Sequence, residues 1–235
     1  MHVQEFSRWL QEQADPPRAE QVQRFFQVFP GGYAEHDHFL GVAVPRIREG
    51  VRRFRGVSAT EAAKLVTSPW HEERMAGLLT WVDLYSRSRS ESAQGEIAEL
   101  YLDHRQHIDN WDLVDCSSHL ILGPWWEGHP DPHTFTTLLE SSVVWDRRIA
   151  VLSTFHGIRN GRHGDCLDVC RRLLTDRHDL IHKATGWMLR EAGKRDIAFL
   201  RSFLDAHAPR MPRTMLRYSI EKLPEVERRK WLARR

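Results

Sequence analysis

One helical pattern recurs five times along the 235-residue chain, and this recurrence constrains the fold more than any other feature of the sequence. Each copy starts with a charged residue and continues with small and apolar residues at helical spacing; the copies start at Arg74, Asp112, Arg148, Lys183 and Arg213. Successive starts are 38, 36, 35 and 30 residues apart, which is typical of repeats built from a pair of helices. Such a pair buries its apolar face only by stacking on its neighbours, so the pattern predicts an all-α curved solenoid with a concave face. A general helical bundle with chance similarity between its helices is the alternative.

Local start signals also favour helices, whereas strand signals are nearly absent. Ser58 and Glu61 have the spacing of a capping box. Ser68 stands before Pro69, which suits the first turn of a helix, and Asp165 is a candidate N-cap. The chain is therefore predicted to form many short helices.

The composition is that of a folded protein without membrane or secretion signals. Apolar residues make up 41% of the chain, which excludes wholesale disorder. No stretch approaches the roughly 18 consecutive apolar residues of a membrane span, and the polar N-terminus lacks the apolar core of a signal peptide. A cytoplasmic protein, in the bacterial cytosol or nucleoid, is expected. The cysteines Cys116, Cys166 and Cys170 are too few for a disulfide framework and are predicted to be reduced.

The near-neutral net charge of +2 hides a strong asymmetry along the chain. Residues 1–140 carry a formal charge of −8, residues 141–217 of +7 and residues 218–235 of +3. Arginine supplies 29 of the 34 basic residues, and its guanidinium group suits bidentate phosphate contacts. The C-terminal half could therefore hold a polyanion, although a solvated basic face without a partner explains the charge equally well.

The segment IDNWDLVDCSSHL contains the strongest candidate for a functional carboxylate. Asn110 or Asp112 could cap a helix that places Trp111 near its start and Asp115 about one turn in, on an apolar face. An aspartate on such a face is costly unless it is hydrogen-bonded or has a chemical task. The structural alternative is a tie to a neighbouring helix, for example through Arg148.

Equivalent positions of stacked repeats converge in space, so residues far apart in sequence are expected to share the concave face. Asp115, Arg148, Trp187 and Arg190 occupy such positions. Most of the nine tryptophans must belong to the core, but Trp111 and Trp187 have charged neighbours, and an indole face attracts cations.

Metal, nucleotide and serine-hydrolase chemistry lack sequence support, and no metal and no cofactor are predicted. Neither HExxH nor paired CxxC spacing occurs, and GxGxxG, GxxxxGK and GxSxG motifs are absent. The arginine run over residues 46–55 is interpreted as a solvated helix face or a peripheral phosphate contact.

Five strings in order resemble the successive motifs of the AlkD family of DNA alkylation-repair glycosylases: GGYAEHDHFLGVAVPRIRE, NWDLVD, WDRRIAVLSTF, HKATGWMLREAGKRD and RTMLRYSIEKLP. The resemblance covers roughly residues 20 to 225. It implies a single domain over residues 1–235, an all-α right-handed superhelix of HEAT-like antiparallel helix pairs with a concave basic groove. It also implies a monomer that binds duplex DNA and removes cationic 3-alkyladenine and 7-alkylguanine type bases without flipping them.

The resemblance also assigns residue roles. Asp115 corresponds to the catalytic aspartate, Trp111 and Trp187 to the aromatic pair on the damaged nucleotide, and Arg148 to a contact with the DNA backbone. Further cations expected to line the DNA cleft are Arg147, Lys183 and Arg190. The sequence departs from the family pattern at Asn110 and Cys116, and the N-terminal aromatic that contacts the damaged strand stays open between Phe25, Phe26 and Tyr33.

The chemistry agrees with these roles. Cleavage of a glycosidic bond builds positive charge on the sugar, which a nearby carboxylate stabilises while it orients water. An alkylated purine already carries positive charge and leaves without a general acid. No lysine stands beside Asp115, so strand cleavage through a Schiff base is not expected. The alternative from another functional class is a HEAT-like scaffold that binds DNA or protein without catalysis.

Overall fold

The computed structural model describes residues 3–234, and within them the predicted all-α class is confirmed. The only β-type pairing in this range is a single bridge between His38 and Trp70. No helix in residues 3–234 combines the length and the apolar character needed to cross a membrane. The chain divides into two compact units, residues 1–117 and residues 118–235.

The N-terminal unit contains seven α-helices within its described residues. They are α1 (Val3–Glu12), α2 (Pro16–Phe25), α3 (Val44–Arg53), α4 (Ala59–Val66), α5 (His71–Arg87), α6 (Glu91–Asp103) and α7 (Trp111–Asp115). A 3-10 turn, Arg105–His107, follows α6. Helix α5 contacts α1, α3, α4, α6 and α7, so it forms the centre of this unit.

Helix α5 is buried on all sides over its first ten residues, 71–80, although the first four of them, 71–74, are ionisable. Each of the four has partners. The Glu72 carboxylate accepts hydrogen bonds from the amides of Leu40 and Gly41 at 2.8 and 2.7 Å. Gly41 has a positive φ of 82°, and a Cβ there would lie 2.2 Å from the Asp15 carbonyl oxygen, so this close approach requires glycine. The start of α5 therefore fixes the loop that precedes α3.

The C-terminal unit contains eight α-helices within its described residues. They are α8 (Ser118–Gly128), α9 (Pro132–Glu140), α10 (Val144–Arg159), α11 (Gly164–Arg172), α12 (Asp179–Arg195), α13 (Ile197–His207), α14 (Arg213–Ser219) and α15 (Glu225–Ala233). Two 3-10 turns occur at Leu173–Thr175 and Ala208–Arg210. Helix α10 packs on α8, α9, α11 and α12, while α12 also packs on α13 and α14.

The predicted capping box is confirmed, whereas two other predicted caps are wrong. Ser58 accepts from the amide of Glu61, whose carboxylate accepts from the amide of Ser58. Helix α5 starts at His71, after the predicted cap Ser68, which instead donates to the Glu73 carboxylate at 2.6 Å. Helix α11 starts at Gly164, which places Asp165 within the first turn.

Three of the five repeated segments each lie in one helix. The segment that starts at Arg213 continues past α14, which ends at Ser219, and the segment that starts at Asp112 is divided. Helix α7 ends at Asp115 and α8 begins at Ser118. The Cys116 amide bonds to the carbonyls of Asp112 and Val114, which tightens and ends the helix. The three cysteines are free.

Candidate functional site

Helix α7 carries the two predicted site residues of the N-terminal unit. Asn110 is its N-cap, and the side-chain oxygen of Asn110 accepts from the Trp111 amide at 2.8 Å. Leu113 and Val114 are fully buried, while Asp115 is only half-buried at the last position of the helix. A five-residue helix is not stable alone, so contacts with the rest of the unit must hold α7 in place.

Both predicted residues line one cavity of about 400 Å³ in the N-terminal unit. Its walls come from α2, α3, α5, α7 and the loop before α3: Arg18, Val22, Phe26, Phe39, Val42, Val44, Ile47, His71, Glu72, Met75, Trp111, Asp112, Asp115 and Cys116. Most of this surface is apolar or aromatic, with charged groups at few points. A cavity of this kind can receive an uncharged or cationic ring beside the Asp115 carboxylate.

Trp111 is fixed by three aromatic neighbours from the N-terminal helical segment. Its ring stacks on Phe26 with 5.1 Å between centroids and 17° between planes, and it meets Phe25 edge-on at 5.8 Å. Its indole nitrogen donates to the Tyr33 hydroxyl at 3.0 Å. All three aromatics that the sequence left as alternatives thus contact Trp111. They differ in exposure, since Phe26 is 8% exposed and Phe25 is 66% exposed.

The aromatic stack continues inward and ends on a histidine. Phe26 stacks on Phe39 at 5.2 Å, and Phe39 stacks on the His71 ring at 4.5 Å with 23° between planes. His71 in turn is hydrogen-bonded to Asp112 on α7, the residue after Trp111. The stack and this hydrogen bond form a closed ring of contacts among residues that line the cavity.

His71 lies between two carboxylates. Its Nδ1 is 2.8 Å from Asp37 and its Nε2 is 2.9 Å from Asp112. Arg74 joins the same network, with its guanidinium 2.8 Å from Asp37 and 3.1 Å from Asp109. The network connects the loop before α3, the start of α5 and the start of α7.

The network determines the charge of its members. Burial lowers the pKa of His71, but Asp112 and Asp37 outweigh burial and raise this pKa from 6.5 to about 9. Burial alone would raise the pKa of Asp37, yet His71 and Arg74 hold it below its ordinary value. At neutral pH His71 is therefore an imidazolium that donates to both carboxylates. Burial, reinforced by the carboxylates of Asp112 and Asp115, raises the pKa of the Cys116 thiol, which stays uncharged.

Two arginines near the cavity have no carboxylate partner among residues 3–234. Arg18 lines the cavity, and Arg48 is close enough to Cys116 to act on its thiol. Within the arginine run, by contrast, Arg46 pairs with Glu49 and Arg55 with Asp83. Within the described part of the chain, Arg18 and Arg48 are therefore cations without a carboxylate partner on this side of the N-terminal unit.

The remaining predicted residues lie in the C-terminal unit. Trp187 is half-buried on α12, its ring centroid is 5.9 Å from that of Phe155, and its indole nitrogen donates to Glu191 at 3.3 Å. Arg148 on α10 is only 4% exposed, and its guanidinium donates to the Leu180 carbonyl at 2.7 Å.

Three predicted phosphate-binding cations of this unit are bound to carboxylates. Arg147 lies 2.7 Å from Asp176 and Lys183 lies 2.8 Å from Asp179. Arg190 pairs closely with Glu221. The negative charge of each carboxylate offsets part of the attraction that the paired cation exerts on a phosphate.

A second cavity, of about 420 Å³, lies in the C-terminal unit and includes none of the predicted site residues. Trp126 and Phe135 form its aromatic corner at 5.4 Å, and Glu127 pairs there with Arg162 and His156. No group of three or more His, Cys, Asp or Glu side chains within residues 3–234 is arranged to hold a metal ion.

The sequence did not indicate His71, Asp37 or Arg18. His71 and Asp37 are 34 positions apart, and His71 and Asp112 are 41 positions apart. The sequence signal that could have found them is the run HEER at residues 71–74, directly before the apolar segment MAGLLTW. Charged residues buried beside such a segment need partners, which indicates a buried polar network.

Comparison with known proteins adds a family and a fold. The sequence profile of the family described as DNA alkylation repair enzyme matches residues 7–223. A solved structure, "Predicted DNA alkylation repair enzyme from Enterococcus faecalis", superimposes with a TM-score of 0.69 at 16% identity, over 91% of this chain and 98% of that chain. At this identity the likeness shows the fold alone. No curated protein matches the chain.

Proposed function

The chain belongs to the family of DNA alkylation repair enzymes, and from this premise we propose that it is a monofunctional, metal-independent DNA glycosylase of the AlkD type. Its substrates are cationic purines of the 3-alkyladenine and 7-alkylguanine type in duplex DNA. The base is released by hydrolysis of its N-glycosidic bond, without flipping into a pocket, in contrast to the usual glycosylase strategy.

The observation that carries the proposal is the pairing of Trp111 with Asp115 on one cavity wall. The two residues are four positions apart on α7, which places them on the same side of the helix. The cavity beside them is about 400 Å³ and mostly apolar. An aromatic face and a carboxylate in one mostly apolar cavity can hold a cationic nucleotide.

Asp115 supplies the central chemical step of the proposal. As the glycosidic bond breaks, positive charge develops on the deoxyribose, and a fixed carboxylate stabilises that charge more strongly than water does. The same carboxylate orients a water molecule for attack on the sugar. The alkylated purine leaves as a neutral base because it was cationic when bound, so no second acid is needed.

Trp111 and Phe25 provide the aromatic surface of the N-terminal unit. Trp111 is held by Phe26 and Tyr33, while Phe25 is 66% exposed beside it. We therefore assign the contact with the damaged strand to Phe25. The roles of Trp187 on the nucleotide and of Arg148, Arg147, Lys183 and Arg190 on the phosphates rest on the resemblance to the AlkD family.

The direct test measures bases released from methylated duplex DNA. We expect the protein to release 7-methylguanine and 3-methyladenine well above the spontaneous rate and to leave intact abasic strands. Chromatography of the released bases and a denaturing gel of the strands report the two products. Release at the spontaneous rate together with DNA binding would support the non-catalytic scaffold instead.

Removal of the Arg18 guanidinium is expected to weaken DNA binding in a salt-dependent way. Since Arg18 has no carboxylate partner within residues 3–234 and lines the cavity, the variant Arg18→Gln should lower the slope of log affinity against log salt by about one. The slope is measured by fluorescence anisotropy with an undamaged duplex. Arg89→Gln, an exposed change that does not line the cavity, is the control. Equal slopes for the two variants would exclude a phosphate contact at Arg18.

A further inference from the structure

We propose that His71 is a positioning residue for the proposed glycosylase, which holds α7, and with it Trp111 and Asp115, through its Nε2 bond to Asp112. The expected effect on base release rests on the proposed function. The expected effect on the position of Trp111 is independent of that function.

The first step of the argument is that α7 needs an external anchor. It has five residues, too few for an independent helix. Leu113 and Val114 fix its apolar side, and Asn110 caps its first turn. On the polar side, the bond from His71 to Asp112 ties α7 to the start of α5.

The second step is an asymmetry between the two carboxylates bound by His71. Asp37 has a second cationic partner in Arg74, 2.8 Å away. Asp112 has none among the described residues, and its other oxygen, Oδ1, is buried without a hydrogen-bond partner. Loss of the Nε2 donor would leave a mostly buried carboxylate unpaired, which is costly, and α7 would move to bring Asp112 to water.

The third step links that movement to the site. Asp112 is adjacent to Trp111 and three residues before Asp115, so a shift of Asp112 displaces both. Trp111 is also supported from the other side by the stack through Phe26 and Phe39, which ends on the His71 ring. His71 therefore supports α7 by a hydrogen bond and by ring contact.

Two substitutions of His71 distinguish its hydrogen bond to Asp112 from its hydrogen bond to Asp37. Glutamine places its amide nitrogen near the Nε2 position and can still donate to Asp112, whereas asparagine reaches only the Nδ1 position and Asp37. We expect His71→Asn to lower the single-turnover rate constant for 7-methylguanine release about 100-fold, since small misplacements of catalytic groups cost this much. His71→Gln should keep that rate constant within about ten-fold of wild type, and DNA affinity should change little in both. A purely structural role predicts similar losses in the two variants.

A spectroscopic measurement tests the inference without activity. In protein labelled with 5-fluorotryptophan, the ¹⁹F resonance of Trp111 is assigned by its absence from Trp111→Phe. This resonance should shift or broaden in His71→Asn and stay near its wild-type position in His71→Gln. If the wild type releases no base, the proposed function fails, while the ¹⁹F result still decides the positioning role.

Controls cover changes at other sites and loss of folding. His36→Asn, at an exposed histidine, should behave as wild type in both measurements. If His71→Asn does not fold, Asp112→Ala removes the same bond from its other end without leaving an unpaired carboxylate. Because α7 then loses its tie to α5, the rate constant should still fall and the Trp111 resonance should still shift or broaden. Asp103→Ala, exposed at the end of α6, is its matched control. An unchanged Trp111 resonance in Asp112→Ala, or equal effects of the two His71 variants, would overturn the inference.

Discussion

Replacement of Asp115 by asparagine is expected to lower the single-turnover rate constant for 7-methylguanine release by about 100-fold or more. Asparagine has almost the same shape and still fits beside Trp111 on the cavity wall. It lacks the negative charge that stabilises the developing sugar cation, and that charge matters most in the transition state. The loss should therefore appear in the rate constant and only weakly in DNA affinity.

The assay uses protein in excess over a duplex with one 7-methylguanine, so that product release does not limit the rate. Affinity for the same duplex is measured in parallel by anisotropy. Asp103→Asn is the matched control, because this aspartate is exposed on α6 outside the cavity. Equal rate constants for wild type and Asp115→Asn would assign the catalytic charge to another group.

The fold class was predictable because its signals are local. Helical spacing and the capping box at Ser58 each depend on residues within one or two turns. The segment at Asp112 was predicted as one helix and is two, because the break depends on Cys116 and Ser117 bonding back to α7, which apolar spacing does not reveal.

In the candidate site, too, the residues that depend on local sequence were predicted and those that depend on distant contacts were not. Trp111 and Asp115 were identified because they share one short segment and one family motif. His71 was not, since its two carboxylate partners come from distant parts of the chain. Lys183 and Arg190 were expected as available cations, but the structure pairs them with Asp179 and Glu221. Charge counts along a sequence do not show which charges neutralise each other.

The buried network should also make stability depend on pH between 6.5 and 9. Because folding raises the pKa of His71 from 6.5 to about 9, protonated His71 stabilises the folded state fully below pH 6.5. This stabilisation is lost as pH rises through 9, and the shift corresponds to about 3 kcal/mol. The pKa of Asp37 is lowered by folding, so ionised Asp37 stabilises the folded state at neutral pH. This stabilisation is lost only as pH falls below about 4, outside the range considered for His71. Urea unfolding followed by circular dichroism at half-unit pH steps measures the change.

A variant without the titrating group isolates this effect from the rest of the chain. The free energy of unfolding of His71→Gln should vary much less between pH 6.5 and 9, whereas the exposed change His36→Gln should keep the wild-type dependence. The other described histidines with shifted pKa values, His107, His178 and His207, have lowered pKa values and so affect stability below this range. Parallel curves for wild type and His71→Gln would mean that the imidazolium does not stabilise the folded state. A wild-type curve that falls while the His71→Gln curve stays level would show that Asp37 and Asp112 hold the proton on His71.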